Sequence, residues 1–302
     1  MKYPSYIRAY KDGTLLQKIN EVEKIVESCT LCPHACKINR RKEISGYCNS
    51  SIFPVISSFS PHMGEEPPIT GYKGSGTIFF THCNLNCIFC QNCDISQLGK
   101  GEEISYDELS DIMIQLQQLG CHNINFVSPT HMMLPIVKAL PRAIENGLRI
   151  PLVYNSGGYD SLRTLEITEG LFDIYLPDFK FMDEKLSFSL SNARFYPKYA
   201  GMAIREMYRQ VGILKTDNYG IAEKGLLIRH LVLPGYANNS KKVIEYLSGI
   251  SVKLHINIMD QYHPEYRASE NANLVRRITK EEISEVIEFA QSLGMENINK
   301  FE

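Results

Sequence analysis

The sequence predicts an α/β fold, an open partial (β/α)6 barrel with a small N-terminal cysteine-rich module. Three observations point to it. From residue 76 onward, short apolar runs alternate with amphipathic segments six times, the pattern of a parallel sheet covered by helices. Seven of the nine cysteines fall into two closely spaced groups, one before those units and one directly after the first apolar run. Between the groups, residues 51–75 carry Pro54, Pro61, Pro67 and Pro68 and then Gly71 and Gly74, which reads as a linker or wrapping segment. A closed eight-fold barrel would need two more units, which the 302 residues do not supply. A doubly wound sheet is the alternative that the pattern of units alone does not separate.

Taken in order, residues 1–28 form a helical lead-in, with apolar positions at Leu16, Ile19, Val22, Ile25 and Val26. Residues 29–50 carry the first cysteines, so 1–50 read as a module, 51–75 as a linker and 76–302 as the barrel. Strands are expected within 76–82, 123–128, 151–156, 173–180, 225–235 and 253–262. Helices are expected within 105–120, 132–147, 159–170, 183–212, 240–250 and 279–294. Ser105 with Glu108 and Thr279 with Glu282 have the spacing of a capping box, and Gly120, Gly147, Gly212 and Gly294 stand where helices end.

Composition narrows the class. Apolar residues at 44% and charged residues at 22% suit a soluble globular protein. A net charge of −2 predicts no general affinity for nucleic acid or anionic membrane. No apolar run approaches membrane-spanning length, and the first residues lack the apolar core of a signal peptide, so the expected location is cytoplasmic. Thiols stay reduced there, and nine cysteines then read as metal ligands rather than disulfides.

The segment Cys83-Asn-Leu-Asn-Cys87-Ile-Phe-Cys90 offers three thiolates spaced x3 and x2, enough for three corners of a cubane iron–sulfur cluster. With no obvious fourth ligand, one iron stays open to bind a substrate, whereas an electron-transfer cluster closes that corner with another cysteine. A zinc knuckle is the plainer alternative, but it pairs its CxxC with a second CxxC or with histidines. Cys93 would close the cluster if it bound; three ligands already suffice, so it reads as a free thiol, and Cys121 as core. The earlier group, Cys29, Cys32, Cys36 and Cys48, offers four thiolates in a segment too short to bury its own core. A bound metal, structural zinc or an auxiliary [4Fe–4S] cluster, would hold it together.

Functional groups of parallel α/β folds gather at the C-terminal strand ends. The cysteine loop follows the first strand. His131 follows the second, and Asn155 and Ser156 the third. Asp178 and Lys180, two apart and on one face, follow the fourth. The fifth carries Arg229 and His230, and the sixth ends in Asp260, Gln261, Tyr262 and His263. Each also has a structural reading. Asp178 and Lys180 can be an ordinary ion pair, His131 a capping or core residue, and Glu65 and Glu66 solvated linker charges.

The ordered strings CTLCPHACKINR, EEPPITG, GTIFFTHCNLNCIFCQN, NINFVSPTH, YNSGGYD, DIYLPDFK, RHLVLPG and INIMDQYHP resemble the radical S-adenosylmethionine (SAM) superfamily. Within it they resemble the PflX-like group, similar to pyruvate formate-lyase activating enzyme. The resemblance implies an enzyme, oxidoreductase in type, on a barrel of radical SAM type. A [4Fe–4S] cluster on Cys83, Cys87 and Cys90 would chelate SAM and cleave it to methionine and a 5′-deoxyadenosyl radical. That radical would abstract hydrogen from a substrate the sequence does not identify, glycyl-radical enzyme activation being one form of the reaction. The resemblance also implies SAM contacts from Asp178, Lys180 and Arg229, and from Asn155, Ser156 and His131. Gln261, Tyr262 and His263 would face substrate or adenine. The implied partners are SAM, an electron donor such as flavodoxin or ferredoxin, and a protein substrate in the activase case. The contrasting class is a non-enzymatic iron–sulfur electron carrier or metal-stabilised binding module, which needs no such strand-end set.

Overall fold

The computed structural model describes residues 4–43 and 46–299. The lead-in forms α1 (Ser5–Lys11) and α2 (Thr14–Glu27). After the cysteine segment come β1 (Val55–His62), α3 (Pro67–Thr70), β2 (Ser75–Phe80), α4 (Cys93–Ser96) and β3 (Glu102–Glu103). Then follow α5 (Tyr106–Gln118), β4 (Ile124–Val127), α6 (Met133–Glu145), β5 (Leu152–Ser156), α7 (Leu162–Ile167) and β6 (Ile174–Pro177). The chain continues through α8 (Glu184–Ser191), α9 (Tyr196–Val211), β7 (Lys215–Thr216), β8 (Ala222–Leu231), α10 (Ala237–Ser248), β9 (His255–Met259), α11 (Lys280–Ser292) and β10 (Asn297–Ile298).

All six expected strands form, as β2, β4, β5, β6, β8 and β9, and they lie side by side in parallel. The short β10 extends them beyond β9, and β1 adds an antiparallel edge on β2, so the sheet stays open as a partial barrel. Both capping boxes are present, at Ser105 and Thr279. The stretch 183–212 is two helices rather than one. Asn192 stops α8 in the left-handed conformation at φ 51°, which asparagine tolerates better than most residues.

Residues 51–75 are not a linker. They supply β1 and α3. The prolines are compatible with a strand here because β3 covers only Val55 and Ile56, leaving the Pro61 end as a free edge.

Alternation along the strands sorts side chains to two faces. Ile78, Phe80, Ile124, Phe126, Tyr154, Tyr175, Ile228 and Ile256 belong to the main core under the helices. On the concave face a separate small cluster forms from Val153, Ile174, Leu176 and Leu227, and Ile69 of α3 plugs it. Burying that isoleucine contributes on the order of 2 kcal/mol. The plug closes the lumen at the N-terminal ends of the strands and leaves a polar layer above it.

The cysteine segment is fastened to the barrel by polar bonds. Arg40, only 2% exposed, donates to the carbonyl oxygens of Ser50 (3.0 Å), Ser51 (2.5 Å) and His131 (2.6 Å). Thr164 of α7 donates to the Leu31 carbonyl (3.0 Å). No described helix is long and apolar enough to cross a membrane.

Arg40→Met strands three carbonyls, and a buried unsatisfied acceptor costs about 1–3 kcal/mol. The expected result is a loss of about 3 kcal/mol in denaturant unfolding. Amide exchange in residues 29–51 should quicken while the sheet amides keep their protection. Unchanged exchange in 29–51 would show that this arginine is not what holds the segment down.

Candidate active site

The chain leaves β2 through His82, in the left-handed region at φ 61°, and enters the cysteine loop. The loop is pinned by backbone bonds from Asn86 to Ser191 O (3.0 Å), from Ile88 to Leu190 O (2.9 Å) and from Arg267 to Ile88 O (2.8 Å). Asn84 donates its side-chain amide to the Tyr159 carbonyl (2.6 Å). Phe89 is buried edge-on against Phe181 and Tyr262, with centroids 6.4 and 6.3 Å away. The aromatic ahead of the last cysteine is therefore an anchor.

Each of the three sulfurs has a polar neighbour. The Leu85 N–H donates to Cys83 Sγ (3.4 Å), the Ser191 hydroxyl donates to Cys87 Sγ (3.0 Å), and Cys90 Sγ shares a hydrogen bond with Ser96 Oγ (3.0 Å). Burial pushes the Cys83 thiol up to about 12, with Cys87 and Cys90 adding repulsion. It pushes Cys87 up to about 11, against the nearby ammonium of Lys180. Buried thiolates need a positive partner, and hydrogen bonds to the sulfurs are what a metal-bound thiolate uses to disperse its charge. This donor set fits an iron–sulfur cluster. Cys93 opens α4 and is half-buried.

Below the loop lies the polar layer of the lumen. Lys180 Nζ donates to Asp178 Oδ2 (2.5 Å), and Arg229 Nε donates to Asp178 Oδ1 (2.8 Å). The other guanidinium nitrogens reach Asn155 Oδ1 (2.6 Å) and Glu65 Oε2 (3.2 Å). Asn125 donates to Glu65 Oε1 (3.1 Å), and Asn257 donates to Glu66 Oε1 (2.9 Å). Burial alone would favour neutral groups. The coulombic partners overcome it at Asp178, held below the usual carboxylate range by Arg229 and Lys180. They overcome it also at Lys180, held up by Asp178 and Cys87, and at Arg229, held up by Asp178, Glu66 and Glu65. Glu65 goes the other way, since burial and the charge of Glu66 raise it against the pull of Arg229.

Glu65 and Glu66 are thus not solvated linker charges. Their side chains lie inside the lumen, Glu65 at 8% exposure, because a guanidinium buried on the concave face needs more counter-charge than Asp178 alone supplies. Asn125 and Asn257 were also missed as site residues. For Asn125 and Asn257 the signal was legible, as polar residues at inward, period-two positions of apolar strands, whereas Glu65 and Glu66 lie in the turn before α3 and carry no such periodicity.

The structure brings Asn155, Asp178, Lys180 and Arg229 together. It does not bring Ser156 with them. As the neighbour of Asn155 it points to the opposite face, where its hydroxyl donates to Asp160 Oδ2 (2.6 Å). His131 is also elsewhere. It is buried with Nε2 on the Thr81 carbonyl (2.8 Å) and lines the cavity of the N-terminal cysteines. Tyr262 is core, its hydroxyl on the Leu274 carbonyl (2.7 Å). Gln261 is exposed and His263 half-buried, its Nδ1 meeting Gln91 Nε2 (3.1 Å). Two glycines fit the loops closely. A Cβ on Gly157 would stand 2.7 Å from Leu85 of the cysteine loop, and one on Gly158, at φ +74°, would stand 2.1 Å from the Asp178 carbonyl.

Three clustered thiols above a charged, closed lumen, at the C-terminal ends of an open parallel sheet, define a metal- and cofactor-dependent class of protein. The chain matches the model of the radical SAM superfamily over residues 77–247 and belongs to that superfamily. The family brings with it a [4Fe–4S] cluster and SAM as cofactors, and SAM-dependent radical chemistry. Uncharacterized protein MJ0674 of Methanocaldococcus jannaschii is 32% identical over 298 residues, covering 95% of this chain and 81% of that protein. Among solved structures, Streptococcus suis SuiB bound to precursor peptide SuiA aligns with a TM-score of 0.49 at 14% identity. The alignment spans 72% of this chain and less than half, 46%, of that one. A domain of pyruvate-formate lyase-activating enzyme from Bacteroides vulgatus aligns with a TM-score of 0.35 at 14% identity, over 64% of this chain and 90% of that one.

His230 makes a test of the buried electrostatics. It faces away from the lumen, with Nδ1 on the Phe179 carbonyl (2.6 Å), and burial pushes it down to about 4, Lys180 assisting and Asp178 opposing. An unfolded histidine titrates near about 6.5. As pH falls, the unfolded chain therefore takes up this proton first, and the stability from the neutral ring is lost between about 6.5 and about 4. Unfolding midpoints measured across that window should fall for the parent protein and fall less steeply for His230→Gln. Equal slopes would mean that the ring is not buried neutral.

Proposed function

We propose that this chain is a radical SAM enzyme whose Cys83, Cys87 and Cys90 hold the [4Fe–4S] cluster and whose lumen layer holds SAM. The observation that carries the reading is Lys180, bonded to Asp178 on one side and within electrostatic reach of Cys87 on the other. It makes the cysteine loop and the charged layer one continuous site. Bound there, the cluster and SAM supply a one-electron cleavage of the sulfonium carbon–sulfur bond, which yields methionine and, after hydrogen transfer from a substrate, 5′-deoxyadenosine.

The chain's own residues prepare that site. Arg229 offers a guanidinium fork suited to an amino-acid carboxylate, with Glu65 at 3.2 Å the longest of its contacts. Asp178 and Glu65 are acceptors for a cationic amine, and Asn155 orients the fork through its own carbonyl oxygen. Lys180 offsets thiolate charge at Cys87. The Ile69 plug excludes water from below. A low-potential one-electron donor of flavodoxin or ferredoxin type would supply the electron, and a cytoplasmic location would keep the cluster thiols reduced. In the activase form of this reading, supported by the likeness of DIYLPDFK and its neighbours to the PflX-like group, the hydrogen comes from a backbone glycine of a partner protein.

Reduced, anaerobically reconstituted protein incubated with SAM should form 5′-deoxyadenosine, and Cys87→Ala should form none. Asp178→Asn should keep the cluster absorbance but bind SAM about tenfold or more weakly, since a charge-assisted hydrogen bond is worth about 1.5–3 kcal/mol. Product from Cys87→Ala at the parent rate would sink the reading. Unaltered SAM affinity in Asp178→Asn would remove that residue from it.

A further inference from the structure

The N-terminal cysteines take no part in the site described above. Cys29, Cys32, Cys36 and Cys48 line one cavity with His131 and Tyr47. The backbone is folded to present them. Cys29 N–H donates to the Ile38 carbonyl (2.8 Å), Lys37 N–H donates to the Cys29 carbonyl (2.9 Å), and Ala35 and Lys37 take left-handed turns at φ 42° and 57°. All four thiols are free. The Tyr47 N–H donates to Cys36 Sγ (3.4 Å), the same kind of bond that the radical-site sulfurs receive. Arg40 places its buried guanidinium at the cavity wall, as counter-charge to thiolates. His131, with Nε2 committed to the Thr81 carbonyl, keeps Nδ1 buried without a partner.

Four thiolates lining one cavity suit a closed site, either zinc or a cubane in which each takes its own iron. What favours the cluster is the neighbour. Tyr47 stacks on His34 with centroids 3.5 Å apart at 16°, and His34 Nε2 donates to the carbonyl of Asn84 (2.9 Å), the residue after Cys83. A short aromatic and hydrogen-bonded bridge therefore joins the two cysteine groups.

We propose that Cys29, Cys32, Cys36 and Cys48 hold a second [4Fe–4S] cluster, close enough across the Tyr47–His34 stack to interact with the one at Cys83, Cys87 and Cys90. The ligand assignment stands without the proposed function; the interaction rests on it. The Cys83→Ala, Cys87→Ala, Cys90→Ala triple variant, reconstituted anaerobically with iron and sulfide, should retain about four irons and four sulfides per chain with no zinc. Adding Cys32→Ala and Cys36→Ala should remove them. The parent protein, which needs no variant to fold, should hold about eight irons. One zinc without sulfide in the triple variant, or no metal in it at all, overturns the assignment. After reduction with dithionite, the parent's electron paramagnetic resonance spectrum should show splitting or broadening. That feature should be absent from the sum of the triple variant and a Cys32→Ala, Cys36→Ala variant. A parent spectrum equal to that sum overturns the interaction. Loss of 5′-deoxyadenosine formation alone would speak only to the radical site.

Discussion

A guanidinium held on the concave face of an open sheet is the constraint around which this protein is organised. Arg229 lies where apolar residues would pack most cheaply, and its charge is tolerated only because Asp178, Glu65, Glu66 and Asn155 converge on it from three separate segments. Those segments are thereby ordered relative to one another. Strands β6 and β8 are joined across the layer, and the turn before α3 is drawn inside. Once that turn is inside, Ile69 follows it and closes the base of the lumen. Charge and plug are two consequences of one buried cation.

The same logic reaches upward. Lys180 completes the charge balance of Asp178 and at the same time faces the thiols, so the redox loop and the binding layer share one electrostatic environment. The loop is held from outside by the 190–191 segment and by Phe89, and from above by the N-terminal cysteines through His34. Arg40 performs for that upper module what Arg229 does for the lumen. It is a buried cation, satisfied here by carbonyl oxygens, that ties distant stretches of backbone to the barrel.

Much of this was legible in the sequence, for reasons that are local. Period-two apolar runs and capped amphipathic segments are properties of neighbouring residues, so six parallel strands and both capping boxes could be read directly. Thiol spacing is local too, and it placed Cys83, Cys87 and Cys90 in one loop. Facing was harder. Asn155 and Ser156 are adjacent, so one strand end had to divide them, and only the register decided that Asn155 looks inward while Ser156 bonds Asp160. Tyr262, polar at its tip, proved to be core because Phe89 and the Leu274 carbonyl took both of its ends.

The sequence by itself determined the α/β class, the strand and helix order, the cysteine loop and the superfamily it signals. Each of these is encoded in periodicity or spacing along a few consecutive residues. Tertiary structure alone decided that Glu65 and Glu66 enter the lumen, that residues 55–62 become an edge strand, and that His131 serves the N-terminal cysteine cavity. The physical reason is common to all three. Burial and charge pairing depend on which distant segments meet, and a carboxylate followed by two prolines reads as surface until a buried arginine more than 160 residues away requires it.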